Sequence, residues 1–352
     1  MKINFKKILV SPWTALITLA LIVGLRVSDP TFIESIRLRY FDTLITAKEP
    51  TFNNIVTVNI DEDSLNKYGQ WPIPRAKLAD IIRDLYQRNA GLVVLNILMS
   101  EQDRTGGDSA LGQTLSKYPV VLSSAPSQRT KNIPRVPGSA VINSEFADQI
   151  VQYPGLIANV PQLENNAAGV GITNTLPEVD GVNRRVPLLV TVDGKLYPSL
   201  SLESLRVAAG DSTVQVKMFE GGIEKMRIPK FGPIATDSLG RIWIDWSQQN
   251  RSFSLTNLPK DLEGAIVIVG PTAAGIGNPL PTSKGPVWPH EAQASVIGTM
   301  INGVVIQRPD YADGLEIYAL VGAGILLLFL TRYVYVGLAT TIILAAGGYF
   351  AS

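Results

Sequence analysis

Two sets of acidic and amide side chains follow two apolar runs, at spacings that could hold a cation or a polar ligand. Asp61, Glu62 and Asp63 come directly after residues 55–60; Asn96, Glu101 and Asp103 close and follow residues 92–97. Carboxylates and amide oxygens are the donors that hard divalent cations prefer, and they also accept hydrogen bonds from polar or cationic ligands. A structural alternative exists for each. Asp63 and Ser64 could cap a short helical turn, leaving Glu62 and Glu101 in solvent. The spacing is not that of an EF-hand, whose ligands sit within one twelve-residue loop.

Between the two sets lies Gln70-Trp-Pro-Ile-Pro-Arg75. Its prolines restrict the backbone and Trp71 brings a large apolar face, so the loop can line a site or clamp the helix that follows. Arg75 falls in the first turn of that helix, where a positive charge opposes the helix dipole. The acids before the loop are its nearest candidate partners, and an anionic ligand is the other. The candidate ligand-binding residues are therefore Asp61, Asp63, Trp71, Arg75, Asn96 and Asp103.

The elements that must position these residues alternate. Residues 55–60 read as a strand and 74–89 as a helix with an apolar stripe at Leu78, Ile81, Ile82 and Leu85. A solid apolar strand follows at 92–97, a short helix at 108–117 and a third strand at 119–123. Uniformly apolar strands in β-α-β-α-β order imply a mixed, largely parallel sheet with helices on both faces. Neighbouring parallel strands would then bring the two sets of acids together, at the carboxyl edge where such sheets bind ligands.

Residues 124–168 are rich in Pro, Ser, Asn and Gln and read as an irregular insertion with a short helix near 143–150. Further strands are expected at 169–174, 185–192, 223–228, 241–245 and 265–270. Helices are expected from Pro198 to Ala209 and over 288–302, the latter ending at Gly303. Asp180-Gly181 reads as a tight turn before the cations Arg184 and Arg185. The 270–277 loop has the glycines of a phosphate loop but not its Gly-Lys-Ser/Thr ending.

Composition narrows the function. The formal charge is +1 and basic residues are scattered, which gives no footprint for nucleic acid. The chain has no cysteine, so thiol catalysis, disulfides and cysteine metal sites are excluded, and its only histidine is His290. No cofactor is implied. Residues 8–25 form an uncharged apolar run after Lys2, Lys6 and Lys7, with no small-x-small cleavage site after it, which reads as an uncleaved signal anchor. The positive-inside rule then places the following residues outside the cytoplasm. A second apolar region, interrupted at Thr331-Arg332, reads as two further spans or one long kinked helix. Three segments result: residues 1–27 as tail and anchor, 28–310 as an extracytoplasmic domain, and 311–352 as membrane-spanning.

Several motifs in this order resemble the type-2 CHASE domain, a sensor associated with cyclases and histidine kinases. They are Arg39-Tyr-Phe-Asp42, Ile60-Asp-Glu-Asp-Ser-Leu65, Gly69-Gln-Trp-Pro-Ile-Pro-Arg75, Val93-Val-Leu-Asn-Ile-Leu98, Glu101-Gln-Asp-Arg104, Asp180-Gly-Val-Asn-Arg-Arg185, Ile266-Val-Ile-Val-Gly270 and Glu291-Ala-Gln-Ala294. The chain departs from the family pattern at Asn96, commonly Asp, and at Glu291, often His, with His290 displaced by one. The resemblance implies a non-enzymatic sensor in the plasma membrane. It would bind a small-molecule or protein ligand, act as a homodimer, and pass a signal to a cyclase or kinase module outside this sequence. Two other readings remain: a metal-dependent enzyme using Asp61, Asp63 and Asp103, and a membrane-anchored scaffold subunit.

Overall fold

A computed structural model describes residues 12–46, 52–129, 139–142, 144–303 and 311–330. The chain divides into two compact units, Met1–Leu44 with Arg308–Ser352, and Ile45–Gln307.

In the first unit, α1 (Pro12–Ser28) and α2 (Thr31–Thr46) meet at Asp29-Pro30. Pro30 immediately precedes α2, its carbonyl accepting from Ile33 N at 2.9 Å. The sequence Asp29-Pro30 suggests a helix start with Asp29 as cap and Pro30 as first helical residue; instead the helix begins at Thr31 and the Asp29 carboxylate goes to Arg37 at 3.2 Å.

The second unit opens with β1 (Phe52–Ile60), α3 (Glu62–Tyr68), α4 (Arg75–Gln87), β2 (Leu92–Leu95), α5 (Asp108–Leu115) and β3 (Val120–Ser127). Then come β4 (Ser139–Ile142), a 3₁₀ turn at Ser144–Gln149, β5 (Gly155–Ile157), α6 (Pro161–Glu164) and β6 (Gly169–Ile172). Next are β7 (Arg185–Pro187), β8 (Leu189–Val192), β9 (Lys195–Pro198), α7 (Leu200–Ala208), β10 (Val214–Phe219), β11 (Gly222–Ile228), β12 (Gly232–Ile234) and β13 (Arg241–Trp243). The unit closes with β14 (Gln249–Ser254), β15 (Ile266–Pro271), β16 (Leu280–Thr282), β17 (Gly285–Val287) and α8 (Pro289–Asn302).

The main sheet runs β14-β1-β15-β2-β3, all parallel, with β6 parallel and β5 antiparallel to successive parts of β3. One expectation is corrected here. β1 and β2 are not neighbours, because β15 lies between them, pairing Val267 with both Val56 and Val93. The two sets of acids therefore stand two strands apart.

Alternate residues of the central strands enter two separate cores, as a sheet covered on both faces requires. Val56, Val58, Val93, Leu95, Val267 and Val269 pack with the Leu78–Leu85 stripe of α4 and with α5. Ile55, Leu92, Val94, Val121 and Ile268 pack instead with α7 and α8.

Local turn chemistry accounts for the edges of several elements. Asp193 and Gly194 both take positive φ, 48° and 71°, as the two-residue hairpin between β8 and β9 requires. Pro198 ends β9 instead of opening the helix; Ser199 caps α7, accepting from Leu202 N. The single strand expected at 185–192 is two strands, since β7 pairs with β13 and β8 with β9. After the Asp180-Gly181 turn, Arg184 returns to Asp180 at 2.8 Å and Arg185 to Glu178 at 2.6 Å. Both cations are thus spent inside the fold.

The described chain ends with α9 (Ala312–Leu330), which packs against α1 inside the first unit. Arg26 meets Asp313 at 2.7 Å and Glu316 at 2.6 Å. A Cβ on Gly324 would fall 2.4 Å from the end of the Leu19 side chain, which would have to move to admit it. Among the described residues no single helix is long and apolar enough to cross a membrane. Leu16–Ser28 and Thr31–Leu44, bent by 76°, pass that test only as a pair. Lys2, Lys6 and Lys7 and the apolar region from residue 331 onward lie outside the described residues.

Candidate functional site

Trp71, Arg75 and Asp103 come together; Asp61, Asp63 and Asn96 do not join them. The first three line a groove of 440 Å³ between the Gly69–Arg75 loop and the loop that follows β2. Its apolar lining is Trp71, Ile73, Leu78, Ile97, Leu98 and Met99. The Trp71–Pro72 peptide is cis.

The two loops are latched by charge. Arg75 is only 7% exposed, and its guanidinium binds the Asp108 carboxylate and the Glu101 carbonyl. An internal ion pair therefore compensates this cation, as expected. The partner comes from the start of α5, not from the acids before the loop. Asp108 also accepts from Asp103 N at 2.9 Å. Asp103 in turn takes three donors on one oxygen: Thr105 Oγ1 at 2.6 Å, Gly107 N at 2.8 Å and Arg75 N at 3.2 Å. The last of these satisfies a free N–H in the first turn of α4, where a negative charge also suits the helix dipole. Partial burial pushes the Asp103 carboxyl up, but the bonds from Thr105, Gly107 and Arg75 outweigh it and hold it below the ordinary value.

The far side of the groove is fixed at Met99. Its N–H donates to Asn159 Oδ1 and its carbonyl accepts from Val160 N, both at 2.9 Å. Asn159 is buried and held by Glu164 Oε1 at 2.8 Å and by the Ser123 carbonyl at 2.9 Å. Gly107 is required by the latch: a Cβ there would lie 2.4 Å from Ala76 N and 2.7 Å from Asp103 Oδ2. Gly107→Ala is expected to destabilise the chain by about 1–3 kcal/mol. Urea unfolding of the full chain would measure this, and a change below a few tenths of a kcal/mol would contradict the tight contact.

Asp61 is a helix cap. Its Oδ1 accepts from Ser64 N at 2.9 Å, and its own N–H donates to Ser64 Oγ at 3.3 Å, closing a capping box on α3. Partial burial raises this carboxyl, but hydrogen bonds from Ser64 and Ser254 bring it below the usual range. The cap is thus Asp61, with Ser64 three residues on, and Asp63 is exposed on the helix. Glu62 is exposed and accepts from Ala274 N at 2.8 Å. The 270–277 loop spends its own amides on the fold, since Thr272 and Ala273 donate to the Ile60 carbonyl at 2.9 and 3.1 Å. Asp61→Ala is expected to cost about 1 kcal/mol and to leave the groove intact, measured by denaturation and by the environment of Trp71.

Asn96, at the end of β2, accepts from Thr173 Oγ1 at 3.1 Å and donates its N–H to Val269 at 2.9 Å. Among the described residues no three His, Asp or Glu side chains gather to hold a metal ion. His290 is a packed residue: it is fully buried at the start of α8, with Nε2 2.7 Å from Asn59 Oδ1. Its ring lies so close to Gly270 that a Cβ there would come within 2.5 Å.

Leu98 and Met99 line the groove, and Asp108 and Asn159 hold its loops. In sequence Asp108 reads only as the start of the short helix at 108–117 and Leu98 only as the end of a family motif. The apolar residues that continue past Asn96 to Met99, four residues beyond the end of β2 at Leu95, were the available signal for the lining.

The latched groove flanks the carboxyl end of a parallel strand in an α/β domain, the edge at which such sheets commonly bind ligands. The family model described as the CHASE2 domain matches residues 17–330, and the chain belongs to that family. CHASE2 domains are extracellular sensory domains of signalling receptors, not catalytic ones. No curated protein and no solved structure matches the chain.

Proposed function

We propose that the chain is the ligand-input part of a membrane-anchored receptor and that the Trp71–Asp103 groove is its ligand site. The observation that carries this is the latch itself: Arg75, Asp103 and Asp108 hold two loops around a groove of mixed polar and apolar lining in a sensory domain. A site held open in advance does not pay the ordering cost on binding. The ligand changes the output only by the difference in its affinity for two states of the receptor.

In this reading the apolar segments anchor the chain in the plasma membrane, with residues 28–310 outside the cytoplasm. The signal leaves through the paired helices α1 and α9, in a homodimer, toward a cyclase or kinase module outside these residues. The clasp of Arg26 on Asp313 and Glu316 supports a joint movement of those two helices.

The test is a thermal-shift screen of the full chain in nanodiscs against a small-molecule library, run in parallel on Trp71→Ala. At least one compound is expected to raise the midpoint of the wild type and not of the variant. If every stabilising compound acts equally on both, the groove is not the ligand site.

A further inference from the structure

We propose that the groove takes an uncharged molecule carrying an aromatic or aliphatic ring, and not an ion. This inference rests on the sensory reading of the same groove and names the class of its ligand. Its first support is that the charges inside are committed. Arg75 is turned onto Asp108 and the Glu101 carbonyl. Asp108 also receives Asp103 N, and Asp103 is met by a hydroxyl and two backbone amides. An incoming anion would find Arg75 already paired, and an incoming cation would find one oxygen of Asp103 already taking three donors. An ion thus regains little there of the hydration it loses, a cost that a neutral molecule does not meet. A divalent cation also needs several oxygen ligands, and among the described residues no three acidic or His side chains gather to supply them.

The second support is Leu98. It is 45% exposed, while its neighbours Ile97 and Met99 are 6% and 4% exposed. The Met99 backbone is tied to Asn159 and Val160, which holds the neighbouring Leu98 in the lining that it shares with Trp71. A half-exposed leucine and a partly exposed tryptophan lining one cleft offer apolar area that a ring would cover. The volume, 440 Å³, is that of a site for one small molecule. Exposed Glu101 and Arg104 also line the groove and carry opposite charges, so together they favour no net charge.

The test uses the full chain labelled with 5-fluorotryptophan in nanodiscs and followed by fluorine NMR. Five tryptophans give five signals, and Trp71→Phe assigns the one in the groove. The probes are benzamide, benzoate, benzylammonium, inorganic phosphate and magnesium ion. Benzamide is expected to shift the Trp71 signal saturably, and the charged probes to bind at least about tenfold more weakly. Leu98→Asp is expected to weaken benzamide by about tenfold or more, with the other four signals unmoved as the check on folding. Leu98→Ala, with the same direction of effect, serves if the aspartate variant does not fold. Tighter binding of any charged probe in the groove would overturn the uncharged class and leave a ligand-binding sensor standing. Absence of a saturable Trp71 shift with benzamide would overturn it as well. The sensory reading itself falls only on the library screen.

Discussion

Arg75→Ala is expected to destabilise the sensory unit by about 3–5 kcal/mol, a fall in thermal midpoint of roughly 6–20 °C for a unit of this size. The reason is the asymmetry of buried ion pairs. The pair as a whole contributes little beyond its desolvation cost, but removing one partner strands the other. Without Arg75, the Asp108 carboxylate, 14% exposed, loses its counter-charge, and the Glu101 carbonyl loses its donor. Arg75→Lys keeps the charge but replaces a planar fork with a single ammonium. It should therefore recover part of the loss and not all of it. Arg75→Met combined with Asp108→Leu should cost less than the sum of the two single changes, since neither residue then leaves a stranded partner. Circular dichroism melts of the full chain decide this. An Arg75→Ala effect below about 1 kcal/mol, the range of an exposed pair, would mean that the latch is not closed in solution.

The same residues show how far local pattern carries. The strands at β1, β2 and β3 and the stripe of α4 are legible because each is decided within one element, by apolar runs and by helical spacing. The family is legible in Gly69–Arg75 because that segment's restricted backbone needs particular residues. The neighbour of a strand is not encoded in this local way. β15 lies about 170 residues beyond β2 in the chain, yet it inserts between β2 and β1. That single insertion separates acids that a sheet in chain order would bring together. β14, Gln-Asn-Arg-Ser-Phe-Ser, lacks an apolar run because it is an edge strand.

Side-chain partners divide along the same line. Asp61 and Ser64 are three residues apart, and their capping box could have been named from that spacing. Arg75 and Asp108 are 33 residues apart on different helices. Charge balance shows that Arg75 needs a partner but cannot say which acid supplies it. The apolar part of the groove was hidden for a further reason: Asp103 and Asp108 are more conspicuous in sequence than Leu98 and Met99, although they are occupied holding the loops.

The second large effect belongs to the only histidine. Burial holds His290 at a pKa of about 3 against an ordinary 6.5, so the folded chain keeps it neutral. Nδ1 has no hydrogen-bond partner, and the ring is pressed on Gly270, so a proton there would be costly to accommodate. The unfolded chain meets no such obstacle and takes up a proton below pH 6.5. The stability from staying neutral is therefore fully present above 6.5 and is lost as pH falls from 6.5 toward 3, at up to about 1.4 kcal/mol per pH unit. Glu291, the next residue, acts in the opposite sense. Burial raises its carboxyl above the ordinary 4.5, against the Trp288 N–H and the Lys284 charge. Its protonation as pH falls thus favours the fold and masks part of the histidine effect. Asp61 and Asp103 lie below the ordinary 3.8, so their stabilisation is lost only in more acidic solution. Between pH 6.5 and 4.5 the histidine dominates, and the chain is expected to lose about 2 kcal/mol. Glu291→Gln should steepen that loss by removing the opposing group. His290→Gln, which can still donate to Asn59, should flatten it. Thermal midpoints across this range for the three proteins test the assignment. Parallel curves for wild type and His290→Gln would show that the imidazole is solvated, and then the close contact with Gly270 could not hold in solution.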